Sequence, residues 1–485
     1  MMIKLAKIIE CTGGRVVPGS PAYTDSDYID NVVTDSRLLK EGGDYSHTAF
    51  LALKGEFFDG NDFIEPAVCA GVSFIVAGPC EEKARRALSK GGKTVIVCCE
   101  DTLKAYGMIA AVHRESLDIN VIGITGSVGK TTAKEYVSKA VETLGKTRKT
   151  PKNHNNEIGV PRTVLGLTSD TKNAVIEMGM RGRGQISFLS GIARPHIGII
   201  TNIGTAHLEL LGTMENTRLA KLEIADHMTA DDYLLVNGDD TLLKDSEAVL
   251  RSGGRRDIPR ILTFGLGENS FFRGGNVKVD PSSTEFDLYI GGKFAGKVSL
   301  PVTGEHFVYS ALAGTGAAYL SGATLEDVRE KVIPALSTVT TDDTGRQRVF
   351  EMKKGCLIDD CYNASPEAVK AELKILERLS GGGRKVAFLG DMLELGPVEE
   401  TEHRALGAFC EETGVDTVVC VGKRAAAIPE GAVSGKTVFI RFEDSSGAAE
   451  AAGDIVKAGD TVLVKGSHAM KMGIISDKIR ELFEG

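Results

Sequence analysis

Short apolar runs alternate with segments of helical spacing along nearly the whole chain, and the character of the runs changes twice. Over residues 1 to about 105, NVVTDS, AFLALKG, VSFIVAG and KTVIVCC are separated by helix-like stretches such as FIEPAVCAG. That alternation predicts a small α/β unit. From residue 120 the strands carry continuous apolar runs: NVIGIT, then a glycine turn and the helix KTTAKEYVSKAVETLG, then NAVIEMG (173–179), HIGIITNIG (196–204) and DYLLVNGDD (232–240). Continuous apolar runs predict parallel strands covered on both faces. Between 262 and 302 the pieces VKVD, EFDLYIGG and KFAGKVSLP alternate instead, which predicts an antiparallel edge or hairpin. The polar stretch ALSTVTTDDTGRQR (335–348) reads as a junction. Beyond it KVAFLGD (385–391), TVVCVG (417–422), TVFIRF (437–442) and TVLVKGS (461–467) return to βα repetition, a second doubly wound unit. The chain is therefore read as α/β with three domains, 1–108, 109–338 and 339–485.

Length agrees, since 485 residues at roughly 150 per domain also give three. A net charge of −9 argues against a nucleic-acid partner or stable association with an acidic membrane. No apolar run approaches the ~20 residues that span a bilayer. The opening MMIKLAKIIECTGGR carries charges through its apolar stretch and lacks a signal-peptide core, so the cytoplasm is the expected compartment. Nine cysteines form neither a C-x-x-C pair nor a zinc spacing and are expected to be reduced, mostly buried thiols. Cys361, beside a motif discussed below, reads as a small packing residue.

The strongest chemical signal is VIGITGSVGKTT (121–132). The common phosphate-loop spelling G-x-x-x-x-G-K-[ST] needs glycine where this chain has Ile124, and the glycines fall at Gly123 and Gly126 instead. A strand entering a glycine turn and leaving as a helix still gathers backbone N–H groups around an anion. Lys130 would reach the outer phosphates and the Thr131 hydroxyl would ligate magnesium. Glu177 and His207 stand at strand ends, where ligands of open parallel sheets collect. Glu177 is placed to meet the metal at Thr131. His207 either supplies a nitrogen to a second cation or is a hydrogen-bonded structural histidine. Lys221, read alone, is a solvated helix lysine pairing with a glutamate. Arg346 is placed to reach a nucleotide phosphate from outside, as an arginine finger does. Asp359 and Asp360 end a strand, where a carboxylate accepts from ribose hydroxyls or caps a helix.

In their order, TGSVGKTT, the glutamate strand, TNIGTAHLE, AKLEI, GEHFVYSALA, the Gly-Arg junction and IDDCYNASP resemble the Mur ligases, ATP-dependent enzymes that form amide bonds in peptidoglycan precursor synthesis. The loop resembles that family's spelling, T-G-[ST]-x-G-K-T-[TS]. NHNNEIGVP (153–161), EMGMRGRGQI (177–186), IDDCYNASPE (358–367), FLGDMLELG (388–396) and LVKGSHAMKM (463–472) look most like the members adding D-alanyl-D-alanine to UDP-N-acetylmuramoyl-tripeptide. TDSR (34–37) and FLALKGEFFDGNDF (50–63) look like the segments that hold the uridine nucleotide.

The resemblance implies a UDP-substrate domain, then a P-loop ATPase domain, then a Rossmann-like ligase domain. It implies ATP and Mg2+ as cofactors, with Gly126, Ser127, Val128, Gly129, Lys130, Thr131 and Thr132 around the phosphates. Thr131, Glu177, His207 and Lys221 would serve the metal ions, Lys221 as the family's carbamylated lysine. Lys130, Lys221, His207 and Arg346 would be catalytic. His306 and Ser310 would lie on the adenine side, and Arg346 and Asp360 would meet phosphate and ribose. Asp35, Ser36, Arg37, Lys54, Gly55, Asn155, Asn156, Asn363, Lys465 and Ser467 would bind the substrates, UDP-muramoyl-tripeptide and D-alanyl-D-alanine, the first five in the uridine-nucleotide segments. A monomer is expected. The chain departs from the family's G-x-H-N-x-x-N at Phe307 and Ser310, and carries His468 where arginine is common. Two other classes stay open on the residues: a family relative working on another carboxylate, such as folate polyglutamylation, and a P-loop kinase, switch or nucleotide sensor.

Overall fold

The structure, a computed structural model, describes residues 1–485 except Glu41, Glu56, Gly92 and Gly485, so Glu56 of the 50–63 segment lies outside the described residues. Besides a two-stranded pair of Ile3–Lys4 with Tyr28–Ile29, three larger sheets follow one another along the chain. The first holds β1 (Arg15–Val16), β2 (Asn31–Val33), β3 (Thr48–Leu51), β4 (Phe74–Ala77) and β5 (Val95–Cys98), in the order β1-β5-β4-β3-β2. Its pairs are parallel except β1 with β5. Helix α1 (Thr102–Glu115) then leads into the second sheet, its start capped by Asp101.

The second sheet contains β6 (Asn120–Thr125), β7 (Thr147–Lys149), β8 (Asn173–Glu177), β9 (Ile197–Ile200), β10 (Tyr233–Asn237), β11 (Arg260–Gly265), β12 (Phe272–Val279), β13 (Thr284–Ile290) and β14 (Lys293–Leu300). Its order is β14-β13-β12-β11-β10-β9-β6-β8-β7, parallel from β7 to β12. The expected antiparallel hairpin is β12-β13-β14, but it extends this same sheet, and β11 belongs to the parallel part. Val121, Ile122 and Ile124 of β6 are all buried because helices cover both faces. On one face α2 (Lys130–Glu142) brings Tyr136, Val137 and Ala140 to a core shared with a later helix; on the other, α3 (Gly159–Leu165) contributes Val160 and Val164. The short α4 (Leu208–Leu211) and α5 (Met214–Leu222) follow β9, and α6 (His306–Leu320) follows β14. The chain continues to one side of β6 through β8 and to the other through β9, so the crevice beyond the end of β6 lies at the switch in strand order.

The polar junction carries a helical turn, Thr341–Thr344, because Thr340 and Asp343 form a reciprocal capping box. The third sheet runs β15-β16-β20-β17-β18-β19, from β15 (Arg348–Met352), β16 (Gly355–Asp360), β17 (Lys385–Gly390), β18 (Thr417–Val421), β19 (Val438–Phe442) and β20 (Asp460–Lys465). Only β15 with β16 is antiparallel. Helix α7 (Pro366–Leu379) starts at the Ser365 cap, with proline in the first turn where a missing N–H costs nothing.

Among the described residues no helix is long and apolar enough to cross a membrane. All nine cysteines are free, but only Cys99, Cys410 and Cys420 are buried, which corrects the expectation that most would be. The others lie in helices, at strand ends and in turns, where one side stays open to solvent. Burial pushes the Cys361 thiol up, and its Sγ lies 3.4 Å from Ser476 Oγ, consistent with packing.

Candidate active site

The loop 126–129 is held by the chain that follows β9. Parallel register sets Ile200 beside Thr125, so Thr201 and Asn202 lie against the turn. Thr201 Oγ1 donates to Val128 O at 2.6 Å, and Val128 N donates to Asn202 Oδ1 at 2.9 Å. Ser127 exchanges two bonds with the Gly204 backbone. Position 126 must be glycine: φ is +149°, and a Cβ would stand 1.8 Å from Thr201 Oγ1. Gly129, at φ +81°, turns the backbone into α2, whose first-turn N–H groups face the crevice. Lys130 folds back so that Nζ donates to Gly126 O at 2.7 Å and Ser127 O at 3.2 Å. Burial lowers its pKa, Glu177 opposes that, and Arg346 adds to it.

Register also places Glu177 across from Ile124, beside the loop. Its Oε1 accepts from Thr131 Oγ1 at 3.3 Å and from Asn155 Nδ2 at 2.8 Å. Its Oε2 is buried with no hydrogen-bond donor. A hydroxyl, a carboxylate and one unsatisfied oxygen at the mouth of a phosphate loop are hard donors suited to magnesium, which keeps waters and phosphate oxygens as its other ligands. The fit needs no cluster of three His, Cys, Asp or Glu, and none is present among the described residues.

His207 and Lys221 close the far side. His207, at φ 63°, sits at the start of α4 with Nδ1 2.5 Å from Glu394 Oε2. Burial lowers its pKa, Glu394 opposes, and Lys130 and Lys221 reinforce. Lys221, in the last turn of α5, is 1% exposed and has no hydrogen bond or ion pair among the described residues. Burial, then the charge of Lys130, pushes its amine well below the ordinary lysine value. A solvated lysine paired with a glutamate is thus excluded. Arg346 arrives from the junction with its guanidinium carbon 3.3 Å from the centre of the Tyr362 ring. Burial lowers its pKa against the pull of Asp360, Tyr362 and Glu177.

The C-terminal sheet meets this crevice. Glu367 Oε1 accepts from Thr205 N and Oγ1, Glu394 O accepts from Glu209 N at 3.1 Å, and Gln347 Nε2 donates to Thr303 O at 2.7 Å. Asp360 and Lys465 are register partners on β16 and β20 and form a buried ion pair, with Lys465 Nζ also 3.1 Å from Asn363 O. Burial alone would raise the Asp360 carboxyl, but Lys465 and then Arg346 hold it below its ordinary value. Ser467 Oγ accepts from Leu393 N, pinning the turn that carries Glu394. The His468 ring lies tilted at 60° to that of Tyr362, with centroids 5.8 Å apart.

His306 opens α6 beside a cavity of about 300 Å3 lined by Gly304, Tyr309, Lys370, Lys374 and Phe409, and burial lowers its imidazole to about 4. Ser310 is buried on the same helix. Phe307 turns into the core, its ring centre 6.4 Å from that of Tyr136. Asn156 Oδ1 is occupied by Gly159 N, capping α3. Asp35, held down to about 2 by hydrogen bonds from Arg37, lies with Ser36 in the first domain, as do Lys54 and Gly55, whose N–H donates to Phe58 O. These five stand on the N-terminal sheet's own loops. Lys134, Tyr362 and Glu394 were not singled out in the sequence. Lys134 follows Lys130 by one helical turn, Tyr362 lies inside the IDDCYNASPE motif and Glu394 inside the FLGDMLELG motif.

The family model for the Mur ligase middle domain matches residues 124–318, and that for the Mur ligase, glutamate ligase domain matches residues 345–468. The UDP-N-acetylmuramoyl-tripeptide--D-alanyl-D-alanine ligase of Bacillus subtilis (strain 168) is 34% identical over 95% of each chain. A crystal structure of MurF from Acinetobacter baumannii superposes with a TM-score of 0.84 at 29% identity, covering 99% of each chain. MurF ligase from Thermotoga maritima in complex with ADP gives 0.78 at 28%, covering 93% of this chain and 97% of that one. Sequence, fold and the arrangement of the loop agree: the chain belongs to the Mur ligase family.

Proposed function

We propose that this chain uses ATP to join D-alanyl-D-alanine to the terminal carboxylate of a UDP-N-acetylmuramoyl-tripeptide. The observation that carries the reading is the convergence of Lys130, Thr131, Glu177, His207, Lys221 and Arg346 on one crevice, in a chain whose relatives bear that activity by name. A substrate carboxylate oxygen attacks the γ-phosphorus and the bond to ADP breaks, giving an acyl phosphate. The dipeptide amine attacks the acyl carbon, loses a proton, and phosphate leaves. Two anions must meet, so positive charge does most of the work. Lys130 leaves its two carbonyl partners for the outer phosphates, and Arg346 reaches them from the opposite wall. Thr131 and Glu177 hold magnesium, which when bound neutralises charge on the transferring phosphoryl group. The cavity beside His306 and Tyr309 takes the adenine end. Phe307 is committed to the core, and neither it nor the buried Ser310 lines that cavity.

Lys221 is suited to carbamate formation because burial favours its neutral amine. The nitrogen adds to carbon dioxide and releases a proton, converting a neutral amine into an anion beside His207. Contacts of Glu367 and Glu394 with the 205–209 turn bring the C-terminal sheet over the crevice, which keeps water from an acyl phosphate. The testing experiment is mass spectrometry of the products from UDP-muramoyl-tripeptide, D-alanyl-D-alanine and magnesium-ATP. The expected product gains one dipeptide less one water for each ADP formed. ADP without any amide product would refute the reading.

A further inference from the structure

Among the side chains around Glu177, Lys134 has no role in the chemistry above. It lies one turn beyond Lys130 and Thr131 on α2, on the face turned to the sheet. It is 1% exposed, and a buried ammonium persists only where its charge is matched. Nζ donates to Lys152 O at 2.8 Å and stands 3.4 Å from Glu177 Oε2 and 3.6 Å from Glu135 Oε1. Lys149 in turn pairs with the other oxygen of Glu135, so two cations balance two carboxylates. Lys152, in a left-handed backbone conformation at φ 47°, opens the turn that carries Asn155. One ammonium therefore holds both the carboxylate and the turn that hydrogen-bonds it. Glu177's oxygens have unlike surroundings: Oε1 has Thr131 and Asn155, while Oε2 has only the charge of Lys134.

We infer that Lys134 is a positioning residue that makes cation capture at Glu177 conditional on nucleotide. With its charge already offset, Glu177 attracts a bare divalent ion weakly, and Lys134 repels that ion at close range. A cation arriving with the negative charge of a triphosphate meets no such barrier. The site thus takes the metal as its nucleotide complex rather than loading metal first. This rests on the proposed reading of Glu177 as metal ligand.

The test measures Mn2+ binding to the full chain by electron paramagnetic resonance, with and without a non-hydrolysable ATP analogue. The parent is expected to bind Mn2+ alone weakly and with the analogue tightly. Lys134→Met is expected to tighten binding of Mn2+ alone by at least about tenfold, the direction a removed like charge dictates. Lys134→Arg, which keeps the charge, should stay within a few-fold of the parent. Because the single change leaves excess negative charge buried, Lys134→Met with Glu135→Gln restores the balance and should show the same tightening. Unchanged binding of Mn2+ alone in both Met-containing variants overturns the inference while leaving the ligase reading intact. Unchanged binding of the Mn2+–nucleotide complex in Glu177→Gln overturns the inference together with the reading of Glu177 as a metal ligand.

Discussion

The central and C-terminal sheets each bury a lysine near the carboxyl ends of their strands, and the two are treated in opposite ways. Lys465 is met by Asp360 on the neighbouring strand and by the Asn363 carbonyl. Lys221 is equally buried but meets no partner among the described residues, and the charge that acts on it is that of another lysine, Lys130. A matched buried pair belongs to the frame, whereas a buried amine left unmatched costs stability and is retained for what it does to a ligand. The C-terminal mouth is thus a finished support, and the central mouth is arranged around something still to arrive.

The hardest blow to that contrast is Lys130→Ala, which removes the charge proposed to meet the phosphates. Amide formation should fall by roughly 1,000-fold with the thermal midpoint little changed, since preorganised charge of this kind carries such factors. Near-normal turnover in product assays would put the loop outside the chemistry. Next, Lys221→Ala should cost about 100-fold, partly restored by acetate or formate standing in for a carbamate. Full activity without added carboxylate would return Lys221 to an inert role.

Stability separates the two lysines further. Asp360→Asn leaves Lys465 charged and buried and should cost about 3–5 kcal/mol in urea unfolding. Lys221→Met should instead stabilise. The folded-state amine has its pKa lowered, so below the ordinary value of about 10.4 the unfolded chain holds the extra proton and is favoured. The gain from methionine should therefore shrink as pH rises toward that value. A gain that grows with pH would mean the amine is charged and matched in the fold.

The smallest effect belongs to Glu372, on α7 beside the Asp360–Lys465 pair, whose carboxyl is pushed up to about 8 by burial and then by Asp360. A raised folded-state pKa gives stability that is full below the free carboxyl's value and lost as pH climbs through about 8. Glu372→Gln should match the parent near pH 4 and melt at a progressively higher temperature than the parent up to about pH 8. Parallel melting curves across that range would place water or a counter-charge against the carboxyl.

The parallel sheets were legible because strands covered on both faces carry unbroken apolar runs, and NVIGIT, NAVIEMG and TVLVKGS each hold one between polar ends. The loop was legible because its residues are adjacent, and a glycine turn before a helix has few other uses. Pairing was not legible. That Asp360 and Lys465, separated by 105 positions, are each other's partner shows only in the fold. Asn155, expected at the substrate, holds Glu177, and Phe307, read only as a departure from a family pattern, is a core residue packed near Tyr136.

By itself the sequence determined local matters: strand character, the glycines of the loop, the helix starts and the family to which they belong. Tertiary structure alone decided which charges are matched. That outcome depends on burial and on neighbours brought from distant strands, and electrostatic cost inside a protein is set by a few ångströms of separation. Lys134, Lys221 and Lys465 are the same residue type in the chain, and only the folded surroundings make one a brace, one an unpaired amine and one half of a buried pair.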